Sequence, residues 1–157
     1  MRRVGLISDT HGLLRPEAVR ALHGCDLIVH AGDVVGARIL DDLSLLAPVT
    51  AVRGNNDKGD WARALRETHL LRVEDVSIYV IHDLKELDIN PSSAGVQVVV
   101  SGHSHMPAVD QRGDVLFVNP GSAGPRRFKL PITVAELLVD GASVQARILP
   151  LEPTPTP

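Results

Sequence analysis

Three short apolar runs near the N-terminus, at residues 4–7, 27–29 and 49–52, are separated by two segments with helical patterning. The first segment, 16–23, opens with Pro16, which suits a first helical position. Gly24 follows it and suits the residue just past a helix end. The second, 37–47, carries Leu40, Leu43 and either Leu46 or Ala47 on one face and stops at Pro48. Strand, helix, strand, helix, strand in this order predicts parallel strands with right-handed crossovers. Parallel strands so connected all end at the same edge of their sheet.

The remainder is richer in strands. Residues 61–66 predict a short helix capped by Asp60. Residues 69–73 and 76–81 predict strands around a turn at Glu74-Asp75. Residues 84–95 predict a loop with room for one helical turn, and 96–100 a buried strand. Two hairpins are expected, 108–111 with 115–118 across Arg112-Gly113-Asp114, and 132–139 with 143–149 across Asp140-Gly141. Four prolines in residues 150–157 predict a disordered or polyproline tail that cannot continue a ladder. No repeat or linker divides the chain. The expected organisation is one domain over 1–149 followed by that tail.

Composition narrows the function classes. A chain of 157 residues, 44% hydrophobic and 22% charged, buries about two thirds of its unfolded surface and needs no covalent staple. A net charge of -3 and a pI near 6.1 argue against dedicated nucleic-acid binding. An aromatic content of 3% argues against a base-stacking platform. The one cysteine, Cys25, rules out an internal disulfide or a thiolate metal cage, and is read as a small buried residue. Asp9 interrupts the N-terminus before a signal-peptide core forms, and no apolar run reaches the length of a membrane span. The expectation is a cytoplasmic protein with no membrane partner; self-association is left open. Seven histidines are the least ordinary count.

Residues able to bind a metal follow nearly every predicted strand. Asp9-Thr10-His11 follows the first, Gly32-Asp33 the second and Gly54-Asn55-Asn56-Asp57 the third. His82 follows the strand ending at Ile81, and Gly102-His103-Ser104-His105 the one ending at Val100. In an open α/β sheet, ligands bind beyond the carboxyl ends of the strands. Residues i and i+2 of extended chain point the same way, so Asp9 with His11, and His103 with His105, can each present two ligands. Taken singly, Asp-x-His, Gly-Asp and Asn-Asn-Asp are ordinary turn chemistry. Gly-His-x-His is sharper, expected about 0.03 times in a chain of this composition. Two carboxylates, four imidazoles and one amide oxygen exceed what one structural zinc needs. They suit two first-row divalent ions sharing a carboxylate, manganese first, with iron, zinc, cobalt or nickel compatible. Two such ions bring about +4 and the carboxylates about -2, leaving a pocket that attracts a phosphoryl group.

The order Asp-x-His, Gly-Asp, Gly-Asn-x-Asp, His, Gly-His-x-His resembles the calcineurin-like metallophosphoesterase superfamily. The short length and Val118-Asn119-Pro120-Gly121-Ser122 resemble its small YfcE-type phosphodiesterase branch. The resemblance spans residues 4–149. It implies an α/β fold, a four-layer α/β/β/α sandwich of two mixed sheets flanked by helices, with a dinuclear site between the sheets. It further implies that Asp9, His11 and His105 hold one ion, that Asn55, His82 and His103 hold the other, and that Asp33 bridges. The expected activity is hydrolysis of a small phosphodiester by a metal-bridging hydroxide. The alternative is a metal-binding scaffold like the small subunit of retromer, which shares the fold. An amidohydrolase with a His-x-His motif would need a barrel of about 250 residues.

Two departures from the family pattern stand out. Asn56 occupies the position where a histidine proton donor is usual, and Asp83-Leu84 follows His82 where Gly-His is usual. Asn56, Asp57 and Arg127 are therefore the candidate catalytic residues: Asn56 by position, Asp57 as its neighbour, Arg127 as a phosphate anchor. The competing reading of Arg126, Arg127 and Lys129 is a solvated basic patch. Asp83 is read as facing solvent rather than orienting His82. His23 is read as a helix-end residue and His69 as a surface residue. His30 is read first as structural, with support of Asp33 as the lesser alternative.

Overall fold

The computed structural model describes residues 1–151. The first of its two sheets contains β1 (Arg2–Ile7), β2 (Leu27–His30), β3 (Val49–Ala51), β9 (Thr133–Asp140) and β10 (Ser143–Pro150), in the order β10-β9-β1-β2-β3. The second contains β4 (Thr68–Val73), β5 (Val76–Ile81), β6 (Val98–Val100), β7 (Ala108–Arg112) and β8 (Val115–Asn119), in the order β4-β5-β6-β8-β7. As the alternation of strands and helices predicts, β1, β2 and β3 are parallel, with Val4 opposite Leu27 and Ile28 opposite Val49. In the second sheet β5, β6 and β8 are parallel. The hairpin strands run antiparallel, so both sheets are mixed.

Period-two patterning decides which face meets which layer. Val4, Leu6 and Val29 of the first sheet pack between the sheets against Ile78, Val80, Val98 and Val118 of the second. The other face of the first sheet, with Ile7, Ile28 and Val134, is covered by α1 (Pro16–Leu22) and α2 (Ala37–Ser44) through Ala18, Leu22, Ile39 and Leu43. The outer face of the second sheet is covered more thinly. Ile81, Val99 and Val115 meet a single 3₁₀ turn, Leu84–Glu86, and the loop carrying Leu87 and Ile89.

Three local expectations are corrected. The helix α2 stops at Ser44, three residues early, where the Ser44 hydroxyl turns back onto the Leu40 carbonyl at 2.7 Å. Asp60 does not cap α3 (Asp60–Arg63); it lies inside the first turn, 3.3 Å from Arg63, and Gly59 precedes the helix. Pro150 does continue a ladder, opposite Thr133. The next N–H, from Leu151, bonds to Ile132 O at 2.8 Å. The N–H that Pro150 lacks would therefore have faced away from β9, at the sheet's edge, where proline is tolerated. The rest of the expected tail lies outside the described residues.

One buried ion cluster ties the first sheet to α1. Glu136 on β9 is 2% exposed. It accepts from Arg3 Nε at 2.5 Å and from Arg147 on the neighbouring strand. Arg3 also donates to Ala21 O at 2.7 Å and His23 O at 3.0 Å. Arg3, rather than the ring of His23, supplies the cation at the negative end of α1. Removing the carboxylate forfeits two charge-assisted hydrogen bonds but leaves no buried cation stranded, since Arg147 is largely exposed and Arg3 keeps its two carbonyl partners on α1. Glu136→Ala is expected to lower unfolding stability by about 2 kcal/mol, read from urea melts, without reducing metal uptake. A loss under 1 kcal/mol, roughly the worth of an exposed pair, would show that the cluster is not structural.

Candidate metal centre

The ends of β1, β2, β5 and β6, and the loop after β3, meet at one side of the sandwich. The chain bends sharply there. Asp9, His11, Asp33, His103 and His105 have φ of 55°, 46°, 55°, 71° and 63°, a left-handed region that non-glycine residues seldom occupy. Hydrogen bonds beyond the strand ends hold these bends. Asp9 N donates to Gly32 O at 3.0 Å, and His11 N to Asp33 O at 3.0 Å. In the second sheet Gly102 N donates to His82 O at 2.9 Å. His103 N crosses to Asp9 Oδ2 at 3.0 Å and joins the two sheets. The glycines of the motifs permit this closeness: a Cβ on Gly102 would lie 2.0 Å from Ser8 Oγ, and one on Gly54 2.3 Å from Asp33 N.

The turns bring Asp9, His11, Asp33, Asn55, His82, His103 and His105 together. Asp9, His11 and His105 form one group whose ligand atoms lie within 4.8 Å of one another; Asp33, His82 and His103 form a second. Asp33 Oδ2 lies between the groups, 3.5 Å from His11 Nε2 and 3.4 Å from His82 Nε2. Asn55 Oδ1 is 3.1 Å from His82 Nε2. His82 Nδ1 faces the Ala31 carbonyl at 2.7 Å. A carbonyl only accepts, so Nδ1 carries the proton and Nε2 faces the pocket, the arrangement typical of a metal-binding imidazole. Asp9 Oδ2 is taken by Ser8 Oγ at 2.6 Å and by His103 N. Asp9 Oδ1 and His11 Nε2 are buried with no hydrogen-bond partner. A cation is what such a donor set lacks, and these residues fit one.

The electrostatics agree. Burial pushes the Asp9 carboxyl up, but the neighbouring imidazoles of His105 and His11, 3.4 and 3.8 Å away, and the Ser8 hydrogen bond outweigh it and hold the group well below the usual carboxylate range. Burial likewise opposes ionisation of Asp33, and His82 and the Asn56 amides overcome it, giving a value of about 2. Both carboxylates are ionised at working pH. His11 is raised chiefly by the Asp9 carboxylate, 3.8 Å from its Nε2. For His82, burial pulls down, and Asp33, Asp9 and the Ala31 carbonyl raise it further than burial lowers it.

The other candidate residues sit around this cluster. Asn56 donates from its backbone N to Asp33 Oδ1 and from Nδ2 to Asp33 Oδ2, both at 2.9 Å. Asp57 is buried but does not converge on the cluster. Its oxygens accept from Val35 N at 2.8 Å and Gly54 N at 2.9 Å, and so clamp two loops together. Arg127 is exposed, and its charge lowers the proton affinity of His11. Asp83 does not orient His82; it caps the 3₁₀ turn at Lys85 N, with its other oxygen 3.8 Å from His103 Nε2.

Sequence reasoning gave too little weight to His30. Its Nδ1 accepts from Gly32 N at 3.1 Å, so Nε2 carries the proton and donates to Thr10 Oγ1 at 3.0 Å, which in turn donates to Val34 O. One neutral ring thereby holds the loops of Asp9 and Asp33. Ser122 Oγ props Asp9 O at 3.1 Å, and Asn119 Nδ2 props Gly102 O at 3.1 Å. The Asn-Pro-Gly-Ser phrase was the available signal for those two.

A sequence model of the calcineurin-like phosphoesterase superfamily domain matches residues 2–142. A probable metallophosphoesterase of Methanocaldococcus jannaschii is 37% identical over 162 residues, covering 95% of this chain and 81% of that protein. The phosphodiesterase YfcE of Escherichia coli is 28% identical over 177 residues, covering 93% and 92%. Among solved structures, Vps29 of Entamoeba histolytica complexed with zinc aligns with a TM-score of 0.74 at 22% identity, covering 96% of this chain and 99% of that one. That last likeness is one of fold.

The fully buried His30 ring is pushed down to about 4 from 6.5 by burial. Between those values the unfolded chain takes up a proton that the folded chain refuses. This contribution to stability therefore falls as pH drops through that window, by up to about 3 kcal/mol. Nitrogen-15 NMR is expected to find His30 neutral, with the proton on Nε2, down to pH 5. Titration of this ring near pH 6.5 would contradict the assignment.

Proposed function

The chain belongs to the calcineurin-like phosphoesterase superfamily, and from that premise we propose that it hydrolyses phosphoesters, phosphodiesters above all, using two divalent ions. The observation that carries this reading is the position of Asp33 Oδ2, within 3.5 Å of an imidazole from each ligand group. Asp9, His11 and His105 would hold one ion, Asn55, His82 and His103 the other, with Asp33 shared. Manganese suits the mixed nitrogen and oxygen donors, as do iron, zinc, cobalt and nickel. Ions bound there would supply a nucleophile derived from water near neutral pH and neutralise charge growing on the phosphoryl oxygens.

The chain's own residues do the rest. Asp9 and Asp33 stay ionised, so no proton has to leave them on loading. His11 and His82 hold protons more tightly than a free imidazole, so loading weakens as pH falls. The Ala31 carbonyl fixes the His82 ring, and the two Asn56 donors fix the Asp33 carboxylate. The exposed Arg127 offers a fork of donors for a phosphate. Cys25 is buried among Leu22 and Ile28, away from the ligand groups, and is no candidate nucleophile.

Asn56 also favours a second reading, a scaffold that keeps its ions without turnover. An amide cannot release a proton at ordinary pH, and the usual donor contributes about 10²–10⁴-fold. Hydrolysis separates the two readings. The metal-loaded protein is expected to cleave bis-p-nitrophenyl phosphate. Across aryl phosphodiesters its rate should fall steeply as the pKa of the departing phenol rises. Asp33→Asn should lose at least one ion by elemental analysis and nearly all turnover, with an unchanged circular dichroism spectrum. Failure to cleave with any of the five metals would favour the scaffold. Full turnover by an Asp33→Asn variant holding two ions would refute the shared-ligand assignment.

A further inference from the structure

Two grooves open from the metal centre, and His103 lines both. The first, about 400 Å³, is lined by Glu67, Asp83, Glu86 and Asp88. Its one arginine, Arg53, is engaged with Glu67 at 3.0 Å. Its carboxylates repel an anionic substrate.

The second groove, about 690 Å³, has the opposite chemistry. It runs from Gly102 and His103 to Met106, Phe117, Phe128 and Arg127. Its volume is that of a small-ligand site. Asp83 borders both grooves, but here its carboxylate and that of Asp110 are outnumbered by Lys85, Arg112 and Arg127, and Asp110 is paired with Arg112 at 2.7 Å. Arg127 has no carboxylate partner among the described residues, and it leaves a cation beside the groove's apolar wall.

The chain contains only two phenylalanines, and both line this groove. Phe117 already carries the Arg112 guanidinium 4.6 Å from its ring centroid. Phe128 is 87% exposed and its φ is 55°. A bulky side chain on left-handed backbone is strained, and this ring recovers almost nothing by burial. Met106, just beyond His105, is 58% exposed; its flexible thioether suits contact with an aromatic ring. Exposed apolar groups gathered beside a polar site mark a surface for a ligand.

We infer that this groove is a subsite for an aromatic ester arm. The substrate class is a phosphodiester with one planar aryl or heteroaryl substituent, its phosphoryl group at the metal centre and its ring against Met106 and Phe128. The inference rests on the phosphoesterase reading. The acidic groove explains the direction: an anionic ester with an apolar arm is repelled there and attracted here.

The test is calorimetric titration of the manganese-loaded protein with phenylphosphonate and with methylphosphonate. Both present a phosphoryl head that cannot be hydrolysed, and only one carries a ring. Phenylphosphonate is expected to bind about tenfold more tightly or better. Phe128→Ala combined with Met106→Ala should reduce the ratio of the two affinities to about twofold or less. Both side chains are exposed, and melting temperatures check that the variant folds. Equal affinities in the natural protein overturn the inference and leave the phosphoesterase reading standing. A preference that survives the double substitution overturns the assigned location. Binding of neither compound overturns both readings.

Discussion

The whole pocket depends on the contact between Asp9 and the turn at Gly102-His103. Asp9 follows β1 of the first sheet, and the turn follows β6 of the second. The His103 N–H and the Ser8 hydroxyl together occupy Asp9 Oδ2, and Gly102 has no side chain because Ser8 and Asp9 fill that space. This fixes the distance between the sheets at their ligand-bearing edge. It also turns Asp9 Oδ1 inward, toward His105 Nε2 at 3.4 Å. The five left-handed residues cost roughly 1–2 kcal/mol each. The hydrogen bonds across the strand ends and the apolar layer between the sheets offset that strain. The fold stores its irregular backbone where the ligands are and keeps regular strands elsewhere.

Much of this was legible in the sequence because the chemistry changes abruptly at each strand end. Buried valines and isoleucines give way within one or two residues to Asp, Asn or His, and the strand-helix alternation puts three of those boundaries at one edge. Gly-His-x-His was informative because its glycine has a packing reason and its histidines a geometric one. His30 was less legible, since a buried imidazole between Val29 and Ala31 interrupts no pattern. Its role appears only once Thr10 and Gly32 are seen on either side of its ring. Asp57 misled for the opposite reason. A carboxylate beside two asparagines looks catalytic, and sequence carries no direction to say that both oxygens face backbone N–H groups. Pro150 and Asp60 were misplaced because local rules for proline and helix caps depend on which side faces the neighbouring strand or turn.

The pocket is built for cations in a way its protonation makes plain. Two carboxylates stay ionised despite burial because imidazoles and amides surround them. The same carboxylates raise the proton affinity of His11 and His82, a sign of the negative field that would draw a metal ion in. The supports of the cluster, His30, Ser8, Asn56 and Asp57, face inward to backbone or ligand atoms. The contrast between an acidic and an apolar groove on the open side leaves substrate choice to residues outside the ligand set.

The central claim is that Asp33 is shared by two ions held in two distinct groups. Anomalous diffraction from manganese-soaked crystals tests it most directly. The account predicts two peaks, one against Asp9, His11 and His105, the other against Asn55, His82 and His103, both in contact with Asp33. A single peak, or two peaks of which either fails to touch Asp33, would contradict it.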